Sequence, residues 1–370
     1  MKCFDASKSL AEFNPTKETE MTKTTRVMLA VLAACGASAA MAQSSVNLYG
    51  RVNTVIENTK EGTFKNTVMN SSSSYIGFRG VEDLGNGLKA GFVLESSFAS
   101  DTGAGPMDFT RQSEVYLGGN FGTLRLGNFD PASYLATADA VSMHNHDTGS
   151  SADALNYYSG SFNGISNKIA YVTPDFGGLT AEIQYSLGEK AIEDTGLENR
   201  GGWDLGVNYG NGPLGLGFGY SKESQRDVDS GFKVSAQQYA LRANYSIGDL
   251  TLGGYYQRQE LKAADVFKLK RNVYRLAAMY TIGASELHAN IGRADKLKVQ
   301  GVSVPNSAAT QWTLAYNYNL SKRTKIYTFY TNINNANATA AGFVDAFMGE
   351  GALDEKVKFR SFGVGVRHLF

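Results

Sequence analysis

The stretch VNLYGRVNTVIE, residues 46–57, sorts its side chains by parity. Val46, Leu48, Gly50, Val52, Thr54 and Ile56 fall on one face, while Asn47, Tyr49, Arg51, Asn53 and Glu57 fall on the other. Period two with unlike faces is the mark of a β-strand. The pattern recurs along the chain. Trp203, Leu205, Val207 and Tyr209 oppose Asp204, Gly206 and Asn208. Leu214, Leu216, Phe218 and Tyr220 alternate with Gly215, Gly217 and Gly219. Trp312, Leu314, Tyr316, Tyr318 and Leu320 oppose Thr313, Ala315, Asn317 and Asn319. The chain ends inside one more such segment, with Phe362, Val364, Val366, His368 and Phe370 opposite Ser361, Gly363, Gly365 and Arg367.

Composition agrees with an all-β protein. There are 41 Gly and 20 Tyr but only 6 Pro in 370 residues. Basic and acidic residues balance at 35 each, which argues against a nucleic-acid partner. Beyond the first 43 residues no apolar run is long enough for a spanning helix.

The one sustained apolar run lies early, in MTKTTRVMLAVLAACGASAAMAQ, residues 21–43. Lys23 and Arg26 precede the apolar stretch Val27 to Ala40, and Ala40-Met41-Ala42 supplies a cleavage triplet before Gln43. These are the three parts of a secretory signal peptide. Leu32-Ala33-Ala34-Cys35 also fits a lipoprotein cleavage box, and that alternative stays open. Residues 1–20 read as an upstream extension ahead of a true start at Met21, 21–42 as the signal peptide and 43–370 as the mature chain. Both cysteines, Cys3 and Cys35, fall in the leader, so no disulfide is expected after processing. Five of the 35 basic and four of the 35 acidic residues go with it, which leaves 30 and 31.

Connections between the alternating segments fall into two classes. Short ones carry tight-turn residues: 84–87, 119–122, 175–178, 209–213, 247–249, 282–284 and 319–323. Long polar ones lie near 58–73, 98–110, 129–165, 188–200, 224–235, 261–270, 296–310 and 335–357. They alternate strictly, giving sixteen strands, eight long connections and seven short turns. Such asymmetry between two ends is the signature of a transmembrane barrel with short periplasmic turns and long outer loops. The expected fold is therefore an all-β, sixteen-stranded antiparallel transmembrane barrel.

In hydrocarbon every backbone N–H and C=O must be paired, so a sheet has to close on itself. Sixteen strands leave a lumen too wide to fill with side chains. The apolar face then meets lipid and the polar face meets water. Inner-face glycines are expected to keep the lumen open and allow strand curvature. Alternation points Arg51, Arg79 and Arg125 inward near mid-strand, with Lys89, Lys168, Arg242 and Arg275 nearer the rims or on other walls. Each has a bland reading as a solvated residue beside a carboxylate such as Glu95, Glu114 or Glu182.

At this point the chain resembles a known family, the trimeric general porins of Gram-negative bacteria of the neisserial and β-proteobacterial type. The resemblance rests on AQSSVNLYGRVNTVIE (42–57), SYIGFRGVEDLGNGLKAGFVLE (74–95), FTRQSEVYLGGNFGTLRLGNFDPASY (109–134), NKIAYVTPDFGGL (167–179) and VGVRHLF (364–370). Many relatives carry a basic residue and Gln where this chain has Gly127-Asn128-Phe129. The resemblance implies an outer-membrane homotrimer and passive diffusion of ions and small hydrophilic solutes, with no cofactor. It implies that the third loop, near 129–165, folds into the barrel and narrows it. That loop carries Asp130, Asp139, Asp147 and Asp153, and no basic residue occurs before Lys168. An acidic loop facing Arg51, Arg79 and Arg125 would put a transverse field across the constriction. Phe370 resembles the signal read by the barrel assembly machinery. Outer-membrane lipid and lipopolysaccharide are the surrounding partners.

Two other readings stand beside it. A substrate-specific outer-membrane channel would show an aromatic track or a dense basic cluster; Tyr49, Tyr75 and Tyr116 point inward without forming a regular track. An enzyme would need catalytic motifs, and no G-x-S-x-G, H-E-x-x-H or P-loop occurs. His144-Asn145-His146-Asp147 is a weak metal motif that reads better as a polar loop patch.

Overall fold

The computed structural model describes residues 45–105, 107–141, 153–155, 166–188, 197–227, 230–263, 267–339 and 356–370. The expected leader and its expected cleavage site at Ala42 and Gln43 lie outside these residues, as do Asp147, His144 and His146. The strands are β1 (Ser45–Glu61), β2 (Phe64–Ser71), β3 (Tyr75–Gly85), β4 (Leu88–Ser97), β5 (Gln112–Gly119), β6 (Gly122–Asn128) and β7 (Lys168–Val172). There follow β8 (Leu179–Ser186), β9 (Leu197–Asn211), β10 (Leu214–Asp227), β11 (Lys233–Ile247), β12 (Leu250–Ala263) and β13 (Phe267–Ile282). The last are β14 (Ser285–Ala294), β15 (Lys298–Val299), β16 (Val302–Ser303), β17 (Ala309–Asn319), β18 (Thr324–Ile333) and β19 (Phe359–Leu369).

Neighbouring strands pair antiparallel in one 19-stranded sheet, and the sheet closes where β19 pairs with β1 from Arg51↔Leu369 to Glu61↔Phe359. The 19 segments make 16 staves. β2 and β3 share the two halves of β1, β14 and β15 share β13, and β16 is a short return from β15. A closed ladder leaves no sheet edge in hydrocarbon.

The exterior is apolar, as alternation requires. Val46, Leu48 and Ile56 on β1 are exposed, as are Leu216, Leu276, Leu314, Phe362, Val364 and Val366. Ten residues separate Val46 from Ile56; at a rise of ~3.3 Å and a tilt of ~40° they span about 25 Å of hydrocarbon. Tyr245, Tyr280, Tyr316 and Tyr318 ring the short-turn end, and Trp203 and Trp312 lie toward the other. An aromatic ring at such a level keeps its polar tip wet and its body in lipid. At the short-turn end Gly248 and Gly283 adopt φ of 57° and 58°, the left-handed conformation that a two-residue hairpin connection demands.

At the other end several expected loops are strands. The segment expected as a long connection near 58–73 is a hairpin: β1 runs to Glu61, turns at Gly62-Thr63, and β2 returns from Phe64. β10 and β11 reach Asp227 and Lys233, and β12 and β13 reach Ala263 and Phe267. Above the lipid both faces of a strand meet water, so the apolar period disappears while the hydrogen-bond ladder continues.

Inner-face glycines do more than keep the lumen clear. A Cβ on Gly363 would come within 2.5 Å of the Phe329 ring, and one on Gly365 would strike the Tyr327 ring. Each glycine seats an aromatic ring lying flat on the wall of the neighbouring strand.

Candidate pore constriction

The chain leaves β6 at Asn128 and turns into the lumen at Phe129, which is 1% exposed. Lys168 at the start of β7 fixes this departure. Its Nζ donates to the Phe129 carbonyl and to Gln184 Oε1, both at 3.0 Å. Gln184 in turn donates to the Asp130 carbonyl at 3.1 Å. Lys168 is thus a buried anchor of the third loop, beneath the chain rather than open to the pore.

Helix α1 (Ala132–Ala136) and helix α2 (Ala138–Val141) follow. Pro131, the N-cap residue of α1, makes no side-chain cap. Asp204 of β9 takes that role from across the lumen wall, accepting from Ser133 N at 2.7 Å and Ser133 Oγ at 2.6 Å. A carboxylate at a helix start satisfies exposed N–H groups and the positive end of the helix dipole. The alternating glycines of β9 and β10 make room for this helix. Cβ atoms on Gly206 and Gly217 would fall on the carbonyls of Ala132 and Ala136, and one on Gly219 would lie 2.7 Å from that of Ser133. The helix backbone lies against a smooth strip of wall that any larger residue would fill. Ala138 of α2 packs on Ala240 and Tyr255 of β11 and β12.

The far end of the loop is pinned at residues 153–155. Asp153 Oδ1 meets Arg275 Nη2 at 2.5 Å. Arg275 also donates to Asn290 at 3.1 Å and Gln311 at 3.3 Å, and Gln311 accepts from Ala154 N at 3.0 Å. Leu155 is fully buried with Val273, Ala294, Ala309 and Ala338. Arg271 donates to the carbonyls of Ala338 at 2.9 Å and Thr339 at 3.1 Å, and to that of Leu155 at 3.4 Å. The loop therefore departs from β6, follows the wall past β9 to β12, and is fastened on β13, β14 and β17.

The wall left uncovered by these contacts is built by β1 and β3 to β6, and its basic groups differ from one another. Tyr49 and Tyr75 stand edge to face with ring centroids 6.1 Å apart. Arg79 lies 4.8 Å over Tyr49; Arg51 and Arg111 lie 5.2 Å and 4.6 Å over Tyr75. Flat guanidinium groups stack well on aromatic faces and stay charged. Glu95 joins the group, accepting from Tyr49 Oη at 2.7 Å and Arg111 Nε at 2.8 Å. Arg51 Nε also donates to the Ser73 carbonyl at 2.8 Å.

Arg125 stands apart. It is held between Glu114 and Glu182, each at 2.7 Å, with its guanidinium 4.1 Å over Phe129. Two carboxylates more than match its charge. Arg111, by contrast, was missed by alternation. It precedes β5 and has the parity of the outward residues Val115 and Leu117, yet the chain has already left the strand there and the side chain turns inward.

The remaining residues fall as follows. Lys89 is exposed on the inner face at the short-turn rim. Arg242 donates to Asn208 at 3.2 Å and to the Leu216 carbonyl at 2.8 Å. Asp130 is exposed, while Asp139 accepts from Tyr134 Oη at 3.2 Å. Among the described residues no group of three metal-ligating side chains occurs.

Comparison with known proteins agrees with this architecture. The family described as Gram-negative porin matches residues 29–338. Outer membrane porin protein 32 of Delftia acidovorans is 33% identical over 94% of this chain and 100% of its own. Major outer membrane protein P.IB of Neisseria meningitidis is 27% identical, covering 89% and 95%. The solved anion-selective porin from Comamonas acidovorans superimposes with a TM-score of 0.71 at 29% identity, over 89% of this chain and 100% of that one. These relatives are channel proteins rather than enzymes. By its sequence and its closed cylinder alike, the chain belongs to the Gram-negative porins, outer-membrane channels whose water-filled lumen passes ions and small hydrophilic solutes by diffusion.

Proposed function

We infer that the pore prefers anions and that Arg51, Arg79 and Arg111 form the basic side of its constriction. The observation that carries this is the group of three arginines stacked on Tyr49 and Tyr75, where Glu95 is the carboxylate that joins them among the described residues. Arg125 contributes shape rather than net field, because Glu114 and Glu182 flank it. Asp130 and Asp139 supply the acidic side from the described part of the loop. Asp153 fastens the loop to Arg275 rather than facing solute. The related solved porin from Comamonas acidovorans is described as anion-selective, which supports the same sign.

The working unit of this reading is a homotrimer, as the family resemblance implies; a trimer form is known for OmpT of Vibrio cholerae, which shares the fold at 16% identity. Phe370 acts as the assembly signal. In this reading small hydrophilic solutes pass by diffusion through the lumen without a saturable site. Reversal potential across a planar bilayer in a potassium chloride gradient tests the sign. An anion-favouring potential with current linear in salt is expected; a cation-favouring one overturns the assignment of the basic side.

A further inference from the structure

We propose that the outward face of the β12–β13 hairpin, with β15 beside it, binds a linear acidic polysaccharide outside the cell, held by Lys262, Lys268, Lys270 and Lys298. Register stacks the polar residues of this face in levels. Tyr256 pairs with Tyr274, which pairs with Arg293. One level further out, Arg258 pairs with Asn272. Glu260 then pairs with Lys270, which pairs with Lys298, and last Lys262 pairs with Lys268. Parity gives all of them the face of the exposed Leu252 and Leu276. Tyr256 and Tyr274, with ring centroids 5.4 Å apart, stand at the edge of the apolar band. Six residues separate Tyr256 from Lys262; at a rise of ~3.3 Å and a tilt of ~40° the last lysines lie about 15 Å beyond that edge.

Charge is unevenly distributed over these levels. Nearest the lipid, Arg293 meets Asp295 at 3.6 Å and Arg258 meets Glu260 at 3.1 Å. Glu260 also receives Lys268 at 3.0 Å and Lys270 at 3.4 Å. Lys262 and Lys298 meet no carboxylate among the described residues. The two outer levels therefore set four lysines against one glutamate. Like charges directly opposed across a ladder repel, and an anion laid over them relieves the repulsion. The surface is also firm. Leu261 and Leu269 pair on its reverse side and are fully buried, so the lysines stand on an ordered sheet and little entropy is lost in fixing them. A single exposed ammonium contact is weak, but a polymer with repeating anions meets several at once. A lipid phosphate would reach Arg293 and Arg258 first, and both already have carboxylate partners. Among the described residues of the lysine levels no outward aromatic ring is offered for base stacking, which favours a sugar polymer over single-stranded nucleic acid.

The test uses the purified full-length barrel in detergent, freed of lipopolysaccharide, with size-matched heparin oligosaccharides, alginate oligosaccharides, neutral dextran and a duplex DNA of equal charge as probes. Binding is read by titration calorimetry. An acidic polysaccharide should bind and dextran should not, with affinity falling as salt rises. Tighter binding of heparin assigns a sulfated polymer, and tighter binding of alginate a uronate one. Lys262→Gln, Lys268→Gln and Lys298→Gln together should weaken binding by about tenfold. Glu260→Gln should tighten it, and Arg293→Gln should leave it as it is. Unchanged single-channel conductance confirms that the variants are folded. Failure of both acidic polysaccharides to bind, equal binding of the duplex, no loss in the triple variant, or an equal loss in Arg293→Gln would each overturn the proposal. So would displacement of the polysaccharide by bisphosphorylated lipid A, since the lysines would then serve the membrane's own headgroups.

Discussion

The carboxylate of Asp153 meets the guanidinium of Arg275 at 2.5 Å, with side-chain exposures of only 5% and 0%. This pair joins residue 153 of the third loop to β13, far along the wall from the β6 end where the loop departs. Its neighbours Gln311 and Asn290 take up further donors of the same guanidinium. Removing Arg275 leaves Asp153 charged and buried without its partner, a change that typically costs about 3–5 kcal/mol. Arg275→Gln should therefore release the loop end while the closed ladder holds the barrel. Larger and noisier single-channel currents are the expected readout. Currents identical to wild type would show that Leu155 and Arg271 hold the loop without the pair.

The same loop leans on Gly217, whose missing side chain leaves space for the Ala136 carbonyl and for Arg242 Nε at 2.8 Å. Gly217→Val would push α1 off the wall and into the pore. Overpacking of this kind costs about 1–3 kcal/mol, too little to open the ladder. Conductance should fall while the heat-resistant folded band on a gel persists. Replacement at Gly215, where a Cβ meets nothing closer than 3.9 Å, should change neither and serves as the control.

How far could these features be read from residues alone? The lipid face was legible at Leu216, Leu314 and Val364, because hydrocarbon imposes one demand on every second residue over the whole band. Strand ends were not, because Lys60 and Lys65 lie where both faces are wet and the ladder leaves no trace in polarity. Three alternating glycines on β10 did mark an unusual wall. The cause at Gly217 and Gly219, the backbone of α1, sits about eighty residues earlier in the chain. Alternation also gave Arg51, Arg79 and Arg125 the same standing. Only register separates them, since it brings Glu114 of the adjacent β5 and Glu182 of β8, two strands away, to Arg125 and aromatic rings to the other two.

That separation has a direct electrical consequence. Arg79 is exposed on the pore wall and stacks on Tyr49. One unit charge acting at about 5 Å in a water-like dielectric is worth about 0.8 kcal/mol, or about fourfold in relative permeability. Arg79→Gln should lower the chloride-to-potassium permeability ratio by about that factor. Arg125→Gln combined with Glu182→Gln removes one charge of each sign and should leave the ratio near its wild-type value. Equal shifts in the two variants would place the field on the wall as a whole rather than on the arginine–tyrosine group.

Closure of the cylinder turns on the last residue. Phe370 exchanges backbone hydrogen bonds with Gly50, N to O at 3.1 Å and O to N at 3.2 Å. Its ring occupies the place a Gly50 side chain would take, with Cζ 2.5 Å from the built Cβ. The terminal aromatic is therefore both the final rung of the ladder and the plug over a glycine on the lipid face. Gly50→Val should expel the ring and also press on the Tyr75 carbonyl, 2.5 Å from the same Cβ. Deleting Phe370 removes ring and rung together. Both changes should reduce folded barrel in the outer membrane while synthesis and export proceed. Gly50→Val retains the terminal residue, so a normal yield for it beside a low yield for the deletion would assign Phe370 to recognition during assembly rather than to closure of the seam.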